Sequence, residues 1–183
     1  MYCIICGIKC QPYGTTFCPA PVDKARPLCY NSCMIRKLTF EDRSLFLALS
    51  EEFYASPAVA HAVPAEYHMR AFDELMRSDA YISCYLLCDG ETPAGYALLQ
   101  KTYSREGGGV CLWIDEIYLR PAFRSKGLGR EFFAFADTLG AARLRLEVEP
   151  DNTRAIALYT ALGFEPLPYS QMVKDTPCPN PEK

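Results

Sequence analysis

Ile114-Asp115-Glu116-Ile117-Tyr118-Leu119-Arg120-Pro121-Ala122-Phe123-Arg124-Ser125-Lys126-Gly127-Leu128-Gly129-Arg130 reads as a strand, a short turn, a glycine loop and the start of a helix. The β-branched and aromatic run closed by Pro121 is the strand signal. Leu128, Phe132, Phe135 and Leu139, spaced four, three and four apart, form a helical stripe. Between strand and helix lies Arg-x-x-Gly-x-Gly, built from Arg124, Gly127 and Gly129. Glycines at such a point let backbone N–H groups approach a ligand with no side chain in the way. A helix beginning there adds unpaired donors and a partial positive charge, a combination suited to phosphate. The stretch is therefore expected to cradle a pyrophosphate.

Neither common phosphate loop fits. The dinucleotide fingerprint needs three glycines and a later acid, and the P-loop needs Gly-Lys-Ser/Thr. The pattern instead resembles the GNAT superfamily of acyl-CoA-dependent N-acetyltransferases, whose signature after a strand is Arg/Gln-x-x-Gly-x-Gly/Ala. About twenty residues on, Asn152-Thr153-Arg154-Ala155-Ile156-Ala157-Leu158-Tyr159-Thr160-Ala161-Leu162-Gly163-Phe164 resembles that family's second signature, Asn-x-x-Ala-x-x-Leu-Tyr-x-x-x-Gly-Phe.

Bulk properties fit a globular protein with a full core: 183 residues, half of them apolar and 22% charged. A net charge of −3 argues against a nucleic-acid footprint, which requires a basic excess on one face. No window of about eighteen apolar residues exists to span a membrane. The first residues lack the basic start and apolar run of a secretory signal, so a cytoplasmic location is expected.

The ten cysteines are unevenly placed. Cys3, Cys6, Cys10, Cys18, Cys29 and Cys33 precede residue 34, whereas Cys84, Cys88, Cys111 and Cys178 are scattered. Cys3-Ile4-Ile5-Cys6 resembles half of a zinc knuckle, with Cys29 and Cys33 a looser second half. A disulfide framework fits poorly with a reducing compartment. The competing reading of residues 1–33 rests on four prolines and the lack of a helical period. On that view they are an extension upstream of Met34, which opens the first strand. Removing Lys9, Lys24, Arg26 and Asp23 with that segment leaves 16 basic side chains against 21 acidic ones.

From Met34 the chain is regular. Ile35 to Leu38 reads as a strand, and Thr39 as a cap with Asp42 three residues on. Leu45, Leu49 and Phe53 mark a helix ended by Pro57. Pro64 opens a second helix to about Arg77, with Tyr67, Phe72 and Leu75 expected inside. Tyr81–Cys88 and Gly95–Tyr103 pair across an Asp89-Gly90 turn, and Gly107–Gly109 links into the strand Val110–Leu119. Leu144, Leu146 and Val148 alternate as a further strand. Asn152 caps a helix to Leu162, with Gly163 at its C′ position. Phe164 to Val173 is expected to form a last strand or strand pair, and residues 176–183 a disordered tail.

The order β-α-α-β-β-β-α-β-α-β over residues 34–175 is that of a GNAT domain. The resemblance implies an α/β (α+β) fold: a mixed, mostly antiparallel sheet flanked by helices, with a V-shaped splay between its two central parallel strands. It implies acetyl-CoA as cosubstrate. Backbone groups of Ile117, Tyr118 and Leu119 would receive the pantetheine arm, and Arg124, Ser125, Lys126, Gly127, Leu128, Gly129 and Arg130 the pyrophosphate. Asn152 would contact the arm, and Tyr159 would protonate the leaving thiolate, packing being the alternative for a tyrosine there. Glu116 or Asp115, placed by alternation on opposite faces of the strand, would serve as base, with a base-free reaction also open. Carboxylates near such a site attract cationic acceptors. A small-molecule amine acceptor is expected, with a protein amine as the alternative, and a non-catalytic acyl-CoA-binding module as a second class of function. Homodimers are common in the family. His61 and His68, seven apart, are too few for a metal site, and none is expected. Cys84, Cys88 and Cys111 are expected to pack as small apolar groups, and Trp113 to lie in the core or line the acceptor site.

Overall fold

The computed structural model of the protein describes residues 33–57, 59 and 62–176. The expectations for residues 1–32, His61, Cys178 and the tail from 177 lie outside them. Five strands form one sheet in sequence order: β1 (Cys33–Lys37), β2 (Ile82–Asp89), β3 (Thr92–Ser104), β4 (Gly109–Leu119) and β5 (Arg143–Leu146). The first four pair antiparallel, and β4 pairs parallel with β5. Helices α1 (Arg43–Tyr54) and α2 (Ala65–Arg77) follow β1; α3 (Leu128–Asp137) joins β4 to β5, and α4 (Thr153–Ala161) follows β5.

The sheet is buried on both faces, as a central sheet between helices must be. On one face Phe46 and Leu49 of α1 and Phe72 and Leu75 of α2 pack on Leu86, Tyr96, Leu98 and Tyr118. On the other, Phe132, Phe133 and Ala136 of α3 pack on Leu87, Ala97, Leu99, Leu112 and Ile114. Cys84, Cys88 and Cys111 are free, buried thiols within this packing.

Local chemistry sets the element ends. One 3-10 turn, Phe40–Asp42, precedes α1. Asp42 accepts from the Thr39 amide at 2.9 Å and its hydroxyl at 2.8 Å, and from both Arg36 terminal nitrogens at 2.7 Å. Asn152 caps α4 through the Ala155 amide at 3.1 Å. That helix ends in a Schellman motif: Gly163 at φ +89°, with the amides of Gly163 and Phe164 donating back to Thr160 and Tyr159.

Three expectations need correction. Residues 164–176 form no strand; Pro166 and Pro168 remove ladder donors, and Leu167, Tyr169, Met172 and Val173 stand exposed. Tyr67 is exposed, because the inward stripe of α2 is His68, Phe72 and Leu75, one position further round. Strand β5 stops at Leu146, leaving Val148 exposed. In α3 the buried positions are Leu128, Phe132, Phe133 and Ala136, while Phe135 lies half-buried against Tyr85.

Candidate active site

Strands β4 and β5 run together only from Cys111↔Arg143 to Ile114↔Leu146. There β5 ends, while β4 continues to Leu119 paired with β3 alone. The result is a gap beside residues 115–119. The Arg120 amide donates to Ala94 at 2.9 Å, which sets the phase of the antiparallel ladder. Backbone groups alternate from there, so Tyr118 bonds toward β3 and those of Ile117 and Leu119 turn to the gap. The predicted trio is thus divided.

The loop after β4 bends around the end of this gap. The Arg124 Nε donates to the Leu119 carbonyl at 2.9 Å, bracing loop against strand. Ser125, at φ +65°, accepts from Arg154 of α4 at 2.5 Å, joining the two motif regions. Gly127 caps α3 in the left-handed region at φ +96°, which costs a glycine little. Glu131 is the first residue of α3 whose amide reaches back, to Gly127. The amides of Leu128, Gly129 and Arg130 before it find no backbone acceptor among the described residues, the arrangement an anion requires. Leu128 contributes only its amide, since its side chain is buried. Lys126 is committed in part to Asp89 at 2.9 Å and to the Phe123 ring, while Arg130 is exposed.

Asp115 and Glu116 stand at a β-bulge. Leu98 pairs with Glu116 and Leu99 with Ile114, so Asp115 is an extra residue in β4. The simple alternation behind their expected opposite faces is interrupted here. Asp115 is exposed, and its charge raises the proton affinities of Glu116 and Tyr54. Glu116 turns into the α1/α2 face. Its carboxylate accepts from the Tyr54 phenol at 2.8 Å and the Tyr96 phenol at 2.5 Å. Burial pushes the Glu116 carboxyl above its ordinary range, partly offset by the two phenols. The phenols in turn are pushed far up by burial and by the Glu116 charge. A cavity of about 90 Å³ adjoins this group, lined by Glu116, Ser50, Tyr54, Val63, Tyr67 and His68 among others.

Tyr159 lies on the opposite side of the sheet, half-buried against Phe133 and Phe164, with ring centroids 5.5 and 6.0 Å away. The described residues offer its hydroxyl no hydrogen-bond partner. Burial pushes the phenol upward, keeping its proton in place at neutral pH. The Asn152 side-chain oxygen serves the α4 cap, which leaves its amide nitrogen for a ligand.

A sequence profile of the Acetyltransferase (GNAT) family matches residues 44–164. The chain belongs to this family. It is 34% identical over 82 residues to a thialysine N-epsilon-acetyltransferase of Bos taurus, covering 43% of this chain and 48% of that protein. With the thialysine N-epsilon-acetyltransferase of Caenorhabditis elegans it shares 36% over 86 residues, covering 45% and 53%. The chain thus spans about half the length of these curated relatives. An aminoglycoside N(6')-acetyltransferase type 1 of Salmonella typhimurium is 23% identical over 109 residues, covering 56% and 74%. The fold is shared with AAC(6')-Iy in complex with the bisubstrate analog CoA-S-monomethyl-acetylneamine: TM-score 0.64, 16% identity, and coverage of 79% of this chain and 98% of that one. It is also shared with a Trypanosoma brucei acetyltransferase, with TM-score 0.56, 21% identity, and coverage of 79% and 100%.

In this GNAT chain, sequence reasoning missed Tyr54, Tyr96 and Ser50. No local motif marks them; they meet Glu116 or His68 only through packing of α1, α2 and β3. Trp113 is half-buried with the Arg145 guanidinium 4.2 Å over its ring. No group of three metal-ligating side chains occurs among the described residues. No helix among them is long and apolar enough to cross a membrane.

Proposed function

We propose that this GNAT chain transfers an acetyl group from acetyl-CoA to a primary amine of a small molecule, by direct attack within a ternary complex. The observation that carries this reading is the parting of β4 from β5 beyond Ile114 and Leu146, with a carboxylate on one face and a phenol on the other. The residues suit the cosubstrate. Unclaimed amides at the start of α3, with Arg124, Ser125, Lys126, Gly127, Gly129 and Arg130, would hold a diphosphate. The gap-facing backbone of Ile117 and Leu119 would pair with the amides of the pantetheine arm as an added strand does, and Asn152 would bind it beside them. The thioester supplies an activated acetyl carbonyl.

Glu116 is the group suited to take the proton of the attacking ammonium. Its raised proton affinity narrows the mismatch between a carboxylate and an amine. Asp115, exposed at the bulge, attracts a cationic acceptor. Tyr159 supplies a proton to the departing thiolate as the new N–C bond forms and the C–S bond breaks. The relatives named for thialysine and aminoglycosides support an amine on a small, cationic molecule.

The test is mass-spectrometric detection of acetylated product from acetyl-CoA with thialysine, neamine or spermidine, beside calorimetry with CoA. Product with at least one amine is expected. Binding of CoA with no product from any of them identifies a binding module and overturns the reading.

A further inference from the structure

A second cavity, of about 160 Å³, lies on the α3 face of the sheet, the side away from Glu116. It is larger than the one beside Glu116, and a cavity of about 150 Å³ admits a benzene ring. Strands β2, β3 and β4 supply its floor, and Leu139 and Gly140, just past α3, line it from the helix side. The sheet register explains the floor. Ser83 pairs with Leu99, Tyr85 with Ala97 and Lys101 with Leu112. Leu99, Ala97 and Leu112 belong to the core under α3. Directly paired residues share a face, so Ser83, Tyr85 and Lys101 point the same way.

These three polar groups lack the partners such groups ordinarily have. Ser83 is 3% exposed, yet its hydroxyl bonds to nothing among the described residues. No wholly enclosed side-chain polar atom among them lacks a partner, so this hydroxyl reaches the open space of the cavity. The Lys101 ammonium donates to the Asp79 carbonyl at 2.7 Å, which leaves two of its three donors. It joins no ion pair among the described residues, and the Asp79 carboxylate is taken by Lys37. The Tyr85 phenol has no hydrogen-bond partner either, while its ring is held against Phe135 at 4.9 Å.

An unpaired cation and two unclaimed hydroxyls converging on an apolar hollow are the complement of an oxyanion carried on an apolar body. We propose that this cavity is a second ligand site, for a compact monocarboxylate whose body is about the size of a six-membered ring. The carboxylate meets the Lys101 ammonium and accepts from the Ser83 and Tyr85 hydroxyls. The body packs on Val110, Leu112 and Leu139. Charge fixes this orientation, because the C-terminal end of α3 beside Leu139 carries a partial negative charge that repels the carboxylate toward β2 and β3. Val110 is exposed and leaves an entrance from solvent. The site shares no residue with the glycine loop or with the cavity at Glu116, so the inference does not rest on the acetyltransferase reading.

The test is calorimetry of the full chain with benzoate as the probe. Saturation at one benzoate per chain is expected, with half-saturation below about 1 mM, within what a ligand of that size can supply. Benzyl alcohol keeps the ring without the charge, and acetate keeps the charge without the ring. Each should bind at least about tenfold more weakly than benzoate. Ser83→Ala and Lys101→Met should each weaken benzoate about tenfold, the scale of a lost hydrogen bond to a charged group. Thermal melting shows whether each variant is folded, and Ser83→Ala decides if Lys101→Met is not. No saturable binding would make the cavity a hollow that holds only water and overturns the proposal. Benzyl alcohol or acetate binding as tightly as benzoate overturns the carboxylate-plus-ring assignment. Binding that a folded variant leaves unchanged places benzoate elsewhere on the protein and overturns the site. None of these results bears on acetyl transfer, and a chain that acetylates no amine leaves this site standing.

Discussion

Ile114 and Glu116 lie two positions apart on β4 and face opposite sides of the sheet: Ile114 packs toward α3, and Glu116 bonds Tyr54 of α1. The extra residue between them, Asp115, reverses the alternation. In an unbroken ladder position 116 would share the face of Leu112 and Ile114, among Phe132 and Phe133. A carboxylate buried among those apolar side chains would cost several kcal/mol unless it found a donor.

Two substitutions beside Glu116 should move its titration in opposite directions. As the proposed base, Glu116 would work only when ionised, so activity is expected to fall as pH drops through its raised pKa. Asp115→Asn removes a charge that raises that pKa, and the acid limb of kcat/KM is expected at lower pH. Tyr54→Phe removes a donor that lowers it, and the limb is expected at higher pH. A pH–rate profile of each variant checks both; shifts in the same direction exclude Glu116 as the titrating base.

Tyr159→Phe keeps the ring packed on Phe133 and Phe164 and removes only the hydroxyl. Turnover should fall about a hundredfold with CoA affinity unchanged. Stopped-time assays and calorimetry separate the two quantities, and an unchanged rate removes Tyr159 from proton transfer.

Gly127→Ala places a Cβ at φ +96°. A left-handed alanine costs about 1–2 kcal/mol, measurable by urea denaturation. Because the strain falls where the amides of α3 begin, CoA affinity should fall as well. A variant as stable as the wild type, with equal affinity, would show that the loop relaxes freely.

Arg36 and Thr39 hold the Asp42 carboxyl well below the usual range. A depressed carboxylate stabilises the fold above its unfolded pKa of about 3.9 and loses that contribution as pH falls toward the folded value. Arg36 is 37% exposed, so solvent screening keeps the ion pair at about 1 kcal/mol. Asp42→Asn should therefore be less stable than the wild type at pH 7, and the difference should shrink as pH falls below 4. Chemical denaturation at the two pH values checks it.

The glycine loop and both helices around it were legible because their signals are local: Gly127, the Leu128–Phe132 spacing, the Asn152 cap and Gly163 each act within a few residues. The gap was legible only through the family resemblance, since where β5 leaves β4 depends on pairing. The bulge at Asp115 left no mark in the sequence, because it exists only relative to Leu98 and Leu99 of β3. The same holds for Ser50 and His68, eighteen positions apart and joined by the crossing of α1 and α2. The strand expected after Phe164 failed where two prolines outweighed an apolar run.

The thiols of Cys84, Cys88 and Cys111 have a practical consequence. Burial pushes those of Cys84 and Cys88 upward, and all three lie inside the sheet packing, so an alkylating reagent reaches them only when the fold opens. Peptide mapping of the label at these positions would make the protein its own clock, each tagged core cysteine recording one excursion from the native state.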